Sequence, residues 1–122
     1  MTRVVHFEIV SDDPERTKRF YEEIFGWKVE KWDGPMDYWF FTTGGSDEPG
    51  IDGAFGLRQS PEDSVINTID VEDVDKYVKL VVENGGEIIR PKSAIPGVGY
   101  LMYFKDSEGN LWGMMQDDPE AK

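Results

Sequence analysis

The chain opens on an alternation. In residues 3–10, Arg-Val-Val-His-Phe-Glu-Ile-Val, the apolar Val5, Phe7 and Ile9 fall on one side, and Val4, His6 and Glu8 on the other. That period of two predicts a strand with one apolar face. The period then lengthens: Thr17, Phe20, Tyr21, Ile24 and Phe25 recur at helical spacing. Asp13 suits the N-cap of that helix, Pro14 its first position and Glu15 the positive end of its dipole, while Gly26 stops it. Three more strands are predicted over 27–32, 37–43 and 51–58, separated by Asp33-Gly34-Pro35 and by the turn-rich run from Gly44 to Gly50.

Gln59-Ser60-Pro61-Glu62-Asp63 reads as a linker, and the same order of elements then restarts. A strand is expected over 65–71. Glu72-Asp73 opens a helix with Val74, Tyr77, Val78 and Val81 on one face, ended by Asn84-Gly85-Gly86. A short strand over 87–90 leads into a loop from Pro91 to Gly99, long enough to act as a lid hinged at Pro96-Gly97. The strand Tyr100 to Lys105, a turn over 106–110 and a last strand from Leu111 to Gln116 complete the pattern. The halves align without a gap: Val5 with Val65, Ile9 with Ile69, Asp13 with Asp73, Gly26 with Gly86, and Ile51-Asp52-Gly53 with Leu111-Trp112-Gly113. Such a repeat predicts two like modules, each too small to bury its sheet alone. The expected organisation is one domain over 1–122: module one 1–58, linker 59–63, module two 64–117 and a polar, frayed tail 118–122.

Composition narrows the function. A length of 122 residues leaves room for one ordinary domain, and seven Phe, five Tyr and four Trp can fill its core. A net charge of -12 with no cluster of Lys or Arg argues against nucleic acid and anionic membranes as partners. Without cysteine there is no disulfide, thiolate catalysis, cysteine zinc site or iron–sulfur cluster. No apolar run approaches the roughly 20 residues of a membrane span, and Met-Thr-Arg-Val-Val-His does not resemble a signal peptide, so a cytoplasmic protein is expected.

Two stretches carry a family resemblance. His-Phe-Glu-Ile at 6–9, Asp-Asp-Pro-Glu-Arg at 12–16 and Phe-Tyr-Glu-Glu-Ile-Phe-Gly-Trp at 20–27 resemble the opening of a vicinal oxygen chelate protein, of the glyoxalase/bleomycin-resistance/dioxygenase type. Pro-Gly-Val-Gly-Tyr at 96–100 and Phe-Lys-Asp-Ser-Glu-Gly-Asn-Leu-Trp-Gly at 104–113 resemble its close. The resemblance implies an α+β fold: two βαβββ modules pairing into an open, cup-shaped mixed sheet with the helices outside. It also implies a homodimer. The superfamily includes glyoxalases, dioxygenases, epimerases and metal-free drug-binding resistance proteins, so the fold does not choose among them.

Metal-dependent members carry ligands on the first and last strand of each module. Those positions fall here on His6, Gly53, Ile66 (or Asn67 with a slip of one) and Gly113. One good donor in four is short of the three ligands a catalytic metal needs, and Asn67 and Gln116 would be poor supplements. No cofactor is therefore expected, and a divalent metal is disfavoured. His6, the only histidine, is the candidate base or hydrogen-bonding group, with Glu8 beside it on the same strand face. Phe55, Ile66, Tyr100 and Met115 are the candidate ligand-binding residues, with Gly53 and Gly113 enlarging the cup. Three readings stay open: a metal-independent protein binding a small aromatic or apolar ligand, a lyase or isomerase using His6 and Glu8, and a protein-interaction or regulatory module.

Overall fold

The computed structural model describes residues 2–122. They divide into two compact units, residues 6–65 and residues 66–122, the latter joined by the head of the chain, residues 2–5. We refer to these as module one and module two. The eight strands and two helices run in the order β1 (Arg3–Ser11), α1 (Pro14–Phe25), β2 (Lys28–Lys31), β3 (Tyr38–Thr42), β4 (Asp52–Leu57), β5 (Ile66–Asp70), α2 (Val74–Glu83), β6 (Glu87–Ile95), β7 (Gly99–Lys105) and β8 (Leu111–Asp117).

In module one the strand order is β2-β3-β4-β1. β1 and β4 are parallel, and the other pairs antiparallel. The helix between β1 and β2 starts where local chemistry dictates. The Asp13 carboxylate accepts from the Arg16 N–H at 3.2 Å, and Gly26 closes the helix in the left-handed region at φ 70°. The core lies on the sheet face under the helix, where Val29, Phe41 and Phe55 are buried among Phe7, Ile9, Tyr21, Trp27 and Trp39.

Module two repeats the plan as β5-β8-β7-β6, with β5 and β8 parallel. Asp73 caps α2 by accepting from the Asp75 and Lys76 N–H groups, and Gln116 Oε1 accepts from the Val74 N–H. Val71, Val74, Met102, Phe104 and Met114 form the core, joined by Ile69, Tyr77, Tyr100 and Trp112.

Two expectations for module two change. The loop expected over 91–99 is a strand as far as Ile95, turning tightly back into β7, so there is no lid. Pro91 misleads because β6 is an edge strand whose pairing with β7 is irregular between Ile88 and Ser93; an edge position does not need the missing N–H. The tail is not frayed either. Ala121 is buried, its carbonyl accepts from the Gly97 N–H, and the Asp118 N–H reaches the Val98 carbonyl, both at 2.9 Å.

The repeat contains a slip. Phe7 pairs with Gly53, whereas Asn67, its counterpart in module two, pairs with Trp112. On the last strand Gly53 therefore corresponds to Trp112, not Gly113. One residue of slip moves every side chain to the opposite face of a strand.

Candidate functional site

The face of module one away from α1 carries the polar chemistry. Strand alternation puts His6, Glu8 and Val10 on it, and the registers add Asp52 opposite His6, Ala54 opposite Glu8 and Phe40, and Tyr38 opposite Gly56. Tyr38 links the first two. Its hydroxyl donates to Glu8 Oε2 at 2.8 Å and lies 3.1 Å from His6 Nε2. A phenol has one proton, and a carboxylate can only accept, so the Tyr38 proton belongs to the Glu8 bond. His6 Nε2 must then be the donor to Tyr38, which leaves Nδ1 as the basic nitrogen.

Burial holds the His6 pKa below its ordinary value of 6.5, and the carboxylate of Asp52 only partly opposes that shift. At neutral pH the ring is thus uncharged. Asp52 is exposed but anchored: its Oδ1 accepts from the Thr43 N–H at 2.8 Å and from the Thr43 hydroxyl at 3.2 Å. Around the chain stand three rings from β3 and the end of β2. Trp32 meets Tyr38 edge to face at 6.2 Å, and Tyr38 meets Phe40 at 5.4 Å. Phe40 keeps 40% of its surface exposed.

The donor set does not fit a resident metal. His6, Glu8 and Asp52 share a face, yet no three His, Asp or Glu side chains among the described residues are grouped to hold an ion. One Glu8 oxygen is taken by Tyr38, and one Asp52 oxygen by Thr43. The corresponding face of module two presents Thr68, Gly113, Met115, Leu101 and Tyr103. Asn67 lies on the opposite face in register with Trp112, and Gln116 is engaged in capping α2.

Of the sequence-predicted residues, His6 and Glu8 share a face and join through Tyr38. Ile66 and Met115 lie on the helix-free face of module two, in alternation with Thr68 and Gly113. Phe55 and Tyr100 do not line such a face. Phe55 is fully buried in the core of module one, stacked on Trp39 at 5.2 Å. Tyr100 packs against the core of module two with Lys92 Nζ 4.4 Å from its ring centroid. Nor do the glycines enlarge a site. A Cβ on Gly53 would meet the Phe7 ring at 2.5 Å on the helix side, and the space at Gly113 is taken by Thr68 and Tyr103. Sequence reasoning missed Tyr38 and Asp52. The signal was the alternation of β4: once Phe55 is assigned to the core, Gly53 goes with it, and Asp52 and Ala54 must face the other way.

Two βαβββ modules, each with a helix on one sheet face and polar groups on the other in module one, define the paired-module class. The family model of the Glyoxalase/Bleomycin resistance protein/Dioxygenase superfamily matches residues 3–114, and the chain belongs to that superfamily. A glyoxylase-like domain-containing protein of Didymella fabae is 29% identical over 111 residues, 84% of each chain. Among solved structures, a hypothetical protein from Bacillus halodurans C-125 superposes with a TM-score of 0.75 at 14% identity, covering 99% of this chain and 98% of that one. Methylmalonyl-CoA epimerase from Mycobacterium tuberculosis does so with a TM-score of 0.69 at 13% identity, covering 95% and 88%. At these identities the likeness is one of fold.

Proposed function

We propose that this protein binds a small aromatic or apolar molecule without a metal, and that the helix-free face of module one recognises it. The observation that carries the reading is the His6–Tyr38–Glu8 chain beside the half-exposed Phe40. A few convergent polar groups on an aromatic surface are what a small-ligand site requires. Metal independence is supported by the donor set, in which His6, Glu8 and Asp52 are not grouped as ligands.

One observation favours a second reading, a lyase or isomerase using His6 as general base. Its Nδ1 is the basic nitrogen, and burial keeps the ring neutral near pH 7, the state a base needs. Two measurements separate the possibilities. Metal analysis of protein purified without chelator is expected to find substoichiometric transition metal, and a full equivalent would overturn metal independence. In a thermal-shift screen of small aromatic compounds, His6→Ala is expected to weaken binding of the hits. If the hits are converted, and His6→Ala abolishes conversion while leaving the fold intact, the enzymatic reading replaces the first.

A further inference from the structure

We infer that one flank of α1 is a self-association surface, on which a second copy of this chain docks with the two helices antiparallel. The inference concerns the helix side of module one and stands apart from the ligand reading. Arg16, Phe20, Glu23 and Ile24 recur at i, i+4, i+7 and i+8, so they share a flank of α1. Tyr21, on the adjoining side, packs against the core. Phe20 keeps 53% of its surface exposed and Ile24 57%, and Phe25 at the end of the helix adds a third large apolar side chain in the open. The internal repeat shows that the fold does not need this end of the helix to be apolar. At the same offset of 60, α2 carries Leu80 for Phe20, but Asn84 for Ile24 and Gly85 for Phe25. Module two builds the same helix-on-sheet layer with those places polar or bare. An apolar patch beyond what the fold uses marks a surface for association.

Charge names the occupant. The flank runs from a cation, Arg16, to an anion, Glu23, and among the described residues neither side chain has an ion pair. A two-fold axis through Phe20 would present the same flank of two copies to each other, antiparallel. Arg16 precedes Phe20 by four residues and Glu23 follows it by three. At a rise of about 1.5 Å per residue, Arg16 then comes level with the partner's Glu23 to within about one residue. The symmetry makes that contact twice. Phe20 meets the partner's Phe20 at the axis, and Ile24 packs on the aliphatic stem of the partner's Arg16. Parallel helices would instead set Arg16 beside the partner's Arg16. One helix flank is at the small end of specific interfaces, so the dimer is weak. The charge of -12 on each copy opposes it at low salt, while the Arg16–Glu23 contacts lie well inside the screening length.

Sedimentation velocity from about 5 to about 500 µM, in about 150 mM sodium chloride, is expected to show the 14.0 kDa chain passing from monomer to dimer with a dissociation constant on the order of 10–100 µM. Ile24→Asn, which copies the residue at the matching place in α2, should raise that constant at least about tenfold and leave the urea midpoint in place. Arg16→Glu should raise it by facing the partner's Glu23, and Glu23→Arg by facing the partner's Arg16. The double variant should bring it back to within about threefold of the wild type. Each reversal suits the helix dipole, so lost association would not be lost folding. A chain that stays monomeric to about 500 µM overturns the inference. So does a dimer that Ile24→Asn leaves unchanged, because its interface lies elsewhere. A dimer that the double reversal fails to restore overturns it too, because its helices do not pair antiparallel.

Discussion

At the scale of single residues, the state of His6 decides what the site can offer. Folding holds its ring neutral, because burial lowers its pKa from 6.5. The unfolded chain takes up its proton at 6.5, the folded chain only at lower pH. This contribution to stability is therefore complete above pH 6.5 and is lost as pH falls from there through the folded pKa. His6→Gln should remove that component. Its urea midpoint should decline less than that of the wild type between about pH 7 and about pH 5.5. Parallel slopes would mean that burial does not shift His6. Tyr38 acts on the same ring by positioning it. Tyr38→Phe removes the hydroxyl that joins His6 Nε2 to Glu8 Oε2, a loss of about 1–3 kcal/mol. It should also release the tautomer preference, read from the nitrogen NMR shifts of the ring, and a merely structural tyrosine would leave those shifts in place. His6 and Glu8 were legible in the sequence because the alternation of β1 puts them on one face. Tyr38 was not, because a contact across 30 residues depends on which strand lies beside which.

At the scale of elements, the helices were legible because their signals are local. Asp13 and Asp73 cap them and glycines follow them, whatever the rest of the chain does. The last strand of each module was not, because its face is set by register. Aligning Gly53 with Gly113 treats two glycines as equivalent, although one lies under a core phenylalanine and the other beside Thr68 and Tyr103. The two views of Gly53 differ in a measurable way. If it lies against Phe7, Gly53→Ala drives a methyl group into a ring that Trp27 and Phe41 flank at 6.0 and 5.9 Å. The ring cannot yield cheaply, so the variant should lose about 1–3 kcal/mol of stability in urea titrations. A glycine lining a ligand site would instead show unchanged stability and altered ligand affinity.

At the scale of the whole molecule, 25 acidic residues against 13 basic ones make self-repulsion the main electrostatic term. The ion pairs do little to offset it. Each of the five among the described residues has at least one partner whose side chain is more than half exposed, and such pairs contribute little. Salt should therefore stabilise this protein, since it screens the repulsion more than it weakens the few attractions. Raising sodium chloride from about 10 to about 150 mM shortens the screening length from roughly 30 Å to roughly 8 Å and should raise Tm by a few degrees. Sodium sulfate at equal ionic strength should match chloride if screening is the cause, whereas a far larger rise with sulfate would point to its general effect on apolar burial. If salt lowers Tm, the attractions within the surface pairs outweigh the repulsion of the excess charge.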